Sequence, residues 1–363
     1  MERIRMAAGD VPAGVTDSGA RDVLTGGRLP VDGRVMRFGP LVRGPVRTVG
    51  RLVPGTGGRA DGLGDLLVIG HLAGDDDDDA VVLDGATGAV GHVYLGLDPA
   101  LCEMLPIAAS LDVLARNLAA LSAFERRAGA FSAFRGASGV AAVDAATRLL
   151  LDVFGDPDED DDPAVPFWAA QAVVGPLALL APRGTDLVLD IAPAALDAEF
   201  GADDVRRWDD ADLPPQLVHA PTRRFLRDVG LPAANPMFLV GGEPPSVLAG
   251  SPGGRLIRLG DLVHDIALVV DGETGAVHGR YAAEGVLRAV NADVSTLVFA
   301  VWMHHRERES ELRDHLNHDW YTVTAHAMVR VLGAVDPVAC HAADEDDFRY
   351  WPEAFHDEAG GVL

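Results

Sequence analysis

The residues best suited to chemistry are three acidic runs. Asp75, Asp76, Asp77, Asp78 and Asp79 are consecutive, Asp158, Glu159 and Asp160 open a second run that reaches Asp162, and Asp344, Glu345 and Asp346 form a third. Such carboxylates hold calcium when a loop of fixed spacing turns them onto one ion. Here the place an EF-type loop reserves for glycine holds Ala80 or Pro163, and no glutamate follows at the twelfth place. The expectation is therefore no metal. The runs read as solvated loops or as contacts for a basic partner.

Other chemistry is excluded residue by residue. His304, His305, His315, His318 and His326 crowd one region, but Glu307, Glu309 and Arg313 are interleaved with them, and Glu309 to Arg313 is a favourable i,i+4 pair. That pattern predicts a solvated helical extension rather than a zinc site at His315 and His318. Cys102 and Cys340 are far apart, no CxxC or G-x-S-x-G occurs, and the chain contains no lysine. Walker-type phosphate binding, a lysine Schiff base and disulfide scaffolding are thus removed. Gly55-Thr56-Gly57-Gly58-Arg59-Ala60 fits a dinucleotide fingerprint in letters only, because Pro54 precedes it where a strand should end and Asp61-Gly62 follow where a helix should run. No catalytic residue and no cofactor are expected.

The elements that would position these residues come as a tandem repeat. Asp84-Gly85-Ala86-Thr87-Gly88-Ala89-Val90 returns as Asp271-Gly272-Glu273-Thr274-Gly275-Ala276-Val277, six identities in seven. Asp10-Val11-Pro12 returns as Asp212-Leu213-Pro214, Leu29-Pro30 as Leu231-Pro232, and the Gly64 to Gly70 block as Gly254 to Gly260. Ser110-Leu111-Asp112-Val113 aligns with Asn291-Ala292-Asp293-Val294, and Phe167-Trp168 with Tyr350-Trp351, each after acids. The offset falls along the chain from 202 to about 182. That places about twelve extra residues of copy one around Arg47 to Gly58, three in the Asp75 to Asp79 loop and six between Gly88 and Ser110, positions expected to be loops. The copies are expected to span 1–185 and 186–363.

Within a copy, Ala80 to Leu83 and Ile266 to Val270 are apolar runs of strand length. Asp84, Gly85 and Gly88, like Asp271, Gly272 and Gly275, then read as a hairpin turn, the aspartate bonding the turn backbone and the two glycines supplying positive φ. Ser110 and Asn291 stand where a helix N-cap belongs, ahead of Leu111, Leu114, Leu118 and Leu121 or of Val294, Leu297, Val298 and Val301. One apolar stripe per helix predicts a helix on one face of a mostly antiparallel or mixed sheet: an α+β fold, used twice. Trp168, Trp302, Trp320 and Trp351 read as core or groove-edge aromatics.

The 363 residues carry a formal net charge of −25 with 48% hydrophobic residues. Such a field repels nucleic-acid phosphates and attracts basic proteins. Met1 to Arg5 begin no apolar leader, and the uncharged stretch from Pro163 to Pro182 is interrupted by Pro166 and Pro176. The expectation is a cytoplasmic protein that binds neither membrane nor nucleic acid.

In their order, the Leu-Pro after a short helix, the apolar strand, the Asp-Gly-x-Thr-Gly-x-Val hairpin, the capped apolar helix and the aromatic-Trp pair resemble the SUKH superfamily, in particular its fourth immunity-protein subgroup. The resemblance covers nearly the whole chain as two copies, of which copy two is the fuller. It implies a sheet flanked by helices and a non-catalytic protein that neutralises a polymorphic toxin, a nuclease or deaminase, by occluding its active site. A basic toxin domain would be the partner, met by Asp75 to Asp79, Asp158 to Asp160 and Asp344 to Asp346. A scaffold or regulator of the same fold, with several weak partners and no toxin, and a metal hydrolase built on the acidic loops are the alternatives.

Overall fold

Among the described residues, short β-branched runs bounded by glycine and aspartate become the strands of two main antiparallel sheets, beside a two-stranded one. The computed structural model describes residues 2–57, 61–73, 78–155, 164–235, 238–240, 243–263, 266–281, 285–309, 318–341 and 349–359. The chain forms two units, Met1–Ala133 with Leu149–Ala169, and Phe134–Arg148 with Ala170–Leu363.

In the first unit, helix α1 (Ser18–Gly26) starts at Asp17, whose carboxylate accepts from Ala20 N at 2.7 Å. Strands β1 (Met36–Arg37), β2 (Leu67–Leu72), β3 (Asp79–Leu83), β4 (Val90–Tyr94) and β5 (Leu105–Ala108) lie side by side in chain order, every pair antiparallel. Helix α2 (Val49–Leu52) interrupts the path from β1 to β2. Successive residues of a strand face opposite sides, and Ala80, Val81, Val82 and Leu83 are all buried, so this sheet is covered on both faces. On one face Val68, Ala80, Val82 and Val93 pack with Val49, Val53, Leu63 and Cys102. The extra residues around Arg47 to Gly58 are therefore not a mere surface loop. They bring their own helical turn and core side chains, because the second face of the sheet would otherwise stand wet.

Helix α3 (Leu111–Glu125) follows β5 and keeps the single apolar stripe expected of it: Leu111, Leu114, Leu118 and Leu121 are buried while Asp112 and Arg116 are exposed. Two further helices, α4 (Val140–Phe154) and α5 (Val165–Val174), follow. Trp168 is buried between Phe154 and Phe167, with ring centroids 5.3 and 5.0 Å away.

In the second unit, helix α6 (Pro193–Phe200) precedes β6 (Val205–Arg206), and after α7 (Ala220–Asp228) the chain returns as β7 (Leu231–Pro232), the partner of β6. The main sheet is built from β8 (Ala234–Asn235), β9 (Phe238–Leu239), β10 (Ser246–Val247), β11 (Leu256–Leu262), β12 (Ile266–Asp271), β13 (Val277–Tyr281) and β14 (Val286–Asn291). Its order is β14-β13-β12-β11-β9-β8 with β10 also on β11, antiparallel throughout. Among the described residues four helices close the unit: α8 (Val294–Arg308), α9 (His318–Val335), α10 (Pro337–Cys340) and α11 (Tyr350–Ala359).

The repeat is visible in the irregularities as well as in the elements. A register shift between Val68 and Gly70 recurs between Arg258 and Gly260, and one between Val90 and Gly91 recurs between Val277 and His278. The register also corrects one alignment. Ala108 pairs with Val90 as Asn291 pairs with Val277, so Ser110 corresponds to Asp293, not to Asn291. From the turn glycine to the cap is then 22 residues in copy one and 18 in copy two, an excess of four rather than six.

Helix α8 departs from the expectation of one stripe. Every residue from Val294 to His304 is buried, and so is Glu307. The helix packs against β7, β14, α7 and α9, which leaves it no solvated side over those turns. His304 is thus a core histidine and not the start of a solvated extension.

Candidate partner surface and the polar framework behind it

The hairpin turn shows how the repeat is held. In copy one Asp84 Oδ1 accepts from Ala86 N at 2.8 Å and from Thr87 N at 3.3 Å. In copy two Asp271 Oδ1 accepts from Glu273 N at 2.9 Å and Thr274 N at 3.0 Å. Burial pulls both carboxyls upward, but the donated N–H groups outweigh it, joined at Asp271 by the Arg255 guanidinium, so both lie below the usual carboxylate value. Only the second glycine of each turn has positive φ, Gly88 at 81° and Gly275 at 79°.

Gly85 and Gly272 are needed for a different reason from the one expected. A Cβ at Gly85 would overlap the carbonyl oxygen of Gly14, and one at Gly272 that of Gln216. The backbones meet because Gly85 O accepts from Thr16 N and Asp17 N, at 2.7 and 2.9 Å, and Gly272 O accepts from His219 N at 2.8 Å. Each turn is thereby seated on the start of α1 or of its counterpart in the second copy, α7.

Of the eleven carboxylates expected to meet a partner, the described residues include two. Asp79 is half-buried and takes His92 Nε2 at 2.8 Å, so it is engaged inside the sheet. Asp78 is exposed. Asp75, Asp76, Asp77, Asp158, Glu159, Asp160, Asp344, Glu345 and Asp346 lie outside the described residues, as does His315.

A buried polar network that sequence reasoning missed organises the second unit. Trp351 Nε1 donates to Asn291 Oδ1 at 2.9 Å, and Asn291 Nδ2 donates to Asp336 Oδ2 at 3.1 Å. Asp336 also accepts from Ala292 N at 2.9 Å and Val338 N at 3.0 Å, the latter capping α10. In the first unit the equivalent Trp168 Nε1 donates to Ile107 O at 2.7 Å, a backbone acceptor. The cap of α8 is Asp293, which receives Ser295 N and Thr296 N while Thr296 Oγ1 receives Asp293 N, a reciprocal box. Its second oxygen takes Val188 N at 2.7 Å, and Ser295 Oγ takes Leu189 N at 3.0 Å, so the segment after Arg183 is fastened to the start of α8.

Burial and the nearby Asp336 charge push the Cys340 thiol up to about 12, which leaves it protonated and unreactive at neutral pH. Among the described residues no group of three or more His, Cys, Asp or Glu could hold a metal ion, and no helix is long and apolar enough to cross a membrane.

Two surface clefts stand out. In the second unit Arg183, Asp186, Arg224 and Asp228 line one of about 290 Å³, and Arg224 is spent on Asp186 at 2.5 Å. In the first unit a cleft of about 610 Å³ beside β1 and β2 is lined by Arg37, Arg43, Arg47 and His71, together with Asp32 and Asp78. The sequence signal for it was the arginine series at 37, 43 and 47. The series has no helical or strand period, and His71 joins it only through strand pairing with Arg37.

No curated protein and no solved structure matches this chain. A family model described as SUKH-4 immunity protein matches residues 2–171 and again residues 191–357. Those two matches each hold one main sheet, one seated Asp-Gly-x-Thr-Gly turn and one buried tryptophan near their ends, and together they take in most of the sequence. The chain belongs to the SUKH-4 immunity protein family, as a tandem α+β repeat.

Proposed function

We propose that this chain is a cytoplasmic tandem immunity protein, with copies 1–185 and 186–363, that binds a basic toxin domain and covers its active site. The toxin class we infer is a nuclease or a deaminase. The supporting observation is an immunity-protein family matched twice on a chain of net charge −25. A toxin that acts on nucleic acid presents cationic surface to phosphates, and carboxylate runs on the immunity protein can take the place of those phosphates. The long-range field then raises the association rate more than the intrinsic affinity. Neutralisation by coverage needs no bond-making group in this chain.

The test is capture from the native host's lysate with the full chain at low and at physiological salt, read by mass spectrometry. One stoichiometric basic partner with a nuclease or deaminase domain, binding less as salt rises, is expected, and co-expression should suppress its toxicity. Several weak partners with no protection would favour a scaffold instead. Retention of the partner after Asp75 to Asp79, Asp158 to Asp160 and Asp344 to Asp346 are made neutral would reject the acidic contact surface.

A further inference from the structure

The 610 Å³ cleft of the first unit is not explained by toxin binding through carboxylates. It gathers three guanidinium groups, Arg37, Arg43 and Arg47, in a chain with 55 acidic and 30 basic residues. Guanidinium forks match phosphate oxygens in geometry and stay charged at any physiological pH. His71 lines the same cleft, and its Nδ1 is buried with no hydrogen-bond partner among the described residues. Asp32 and Asp78 add acceptors, and Leu52, Val68 and Leu95 supply an apolar part of the wall.

The fold does not require these residues. In the first sheet Arg37 stands opposite His71, and the same register position in the second sheet pairs Leu239 with Asp261. Thr48 bridges to Leu67 as Val247 pairs with Ile257, so Arg47 stands where copy two has Ser246, and Leu52 comes from the stretch beyond it that copy two lacks. A basic cleft has thus been added to one copy only, while the turn, both register shifts and the buried tryptophan are kept in both.

We propose that this cleft is a binding site for a mononucleotide. The phosphate is held by Arg37, Arg43 and Arg47, amino or hydroxyl donors of the base and ribose are taken by Asp32 and Asp78, and the base lies against Leu52, Val68 and Leu95. The mixed lining discriminates against a plain anion, because two carboxylates oppose a ligand that brings negative charge and no donors. The volume is within the roughly 300–1,000 Å³ of small-molecule sites.

Calorimetric titration of the full chain with AMP, GMP, CMP and UMP, and with inorganic phosphate and citrate as probes, tests this. At least one nucleotide should saturate a single site, with phosphate and citrate clearly weaker. Arg43→Gln and Arg47→Gln, both at exposed positions, should each weaken binding about tenfold or more, the worth of one charge-assisted hydrogen bond, with an unchanged thermal transition. No saturable nucleotide binding at millimolar concentration, citrate binding as well as any nucleotide, or nucleotide binding indifferent to both substitutions would each overturn the proposal. The unaltered chain gives a second readout: saturating nucleotide should protect Arg43 and Arg47 from modification by phenylglyoxal. Undiminished modification at both would also overturn it.

Discussion

Asn291→Ala probes the polar network of the second unit, and its effect can be worked from the geometry. The substitution removes the acceptor of Trp351 Nε1 at 2.9 Å and one donor to Asp336 at 3.1 Å, all three groups being buried. Asp336 keeps the N–H groups of Ala292 and Val338, so its loss is that of one hydrogen bond, about 0.5–1.5 kcal/mol. Trp351 is left with a buried donor unmatched, about 1–3 kcal/mol more. The sum is about 2–4 kcal/mol, which for a unit of this size lowers the melting temperature by roughly 5–15 °C. Scanning calorimetry of the full chain should show one transition moving down while the other stays. One relaxation could defeat the argument: Trp351 Nε1 could turn to the carbonyl of Val290, as Trp168 Nε1 meets that of Ile107 in copy one. A loss under about 1 kcal/mol would mean that this exchange is open and that Asn291 is dispensable.

Gly85→Ala and Gly272→Ala each drive a methyl into a backbone carbonyl, and urea denaturation should show a loss of about 1–3 kcal/mol for each. The Asp271 carboxyl is held below its ordinary value of 3.8 in the fold, so its contribution is full above about pH 4 and fades as pH falls through the lower folded value. The stability gap between Asp271→Asn and the unchanged chain should accordingly shrink on acidification, and a gap that widens would contradict the assignment. Val49→Ala opens a hole under the second face of the first sheet, where Val49 is fully buried. Unfolding should become easier by about 2 kcal/mol, whereas a surface loop would give nothing measurable.

Strand pairs, turns and the repetition itself were legible because they are written locally. An apolar run, an Asp-Gly-x-Thr-Gly turn and a second apolar run specify a hairpin without help from the rest of the chain. The cap of α8 was not, because Asn291 and Asp293 both suit a cap. Asn291 was drawn away by Trp351 and Asp336, 60 and 45 residues further on. The enclosure of α8 was hidden for a related reason: His304 and Glu307 look solvated until β7, β14, α7 and α9 surround them. Gly85 and Gly272 looked like turn glycines of one kind because nothing local announces that another backbone arrives against them. The cleft at Arg37 and His71 depends on strand register, which joins residues 34 apart.

The division of the chain also fixes an order of events during synthesis. All of the first unit is contained in residues up to Ala169, so it can be complete while the rest is still being made. The second unit uses Phe134–Arg148, which leaves the ribosome before Leu149–Ala169. That early segment must wait for later partners, such as Arg306, whose guanidinium meets Asp144 at 3.2 Å. Val188 and Leu189 wait likewise for Asp293 and Ser295, 105 and 106 residues on, a delay of roughly 5–20 s at ordinary elongation rates. Gene fragments divided at a single point between the copies would therefore deprive the second unit of Phe134–Arg148, and a split protein is better designed with that segment supplied twice.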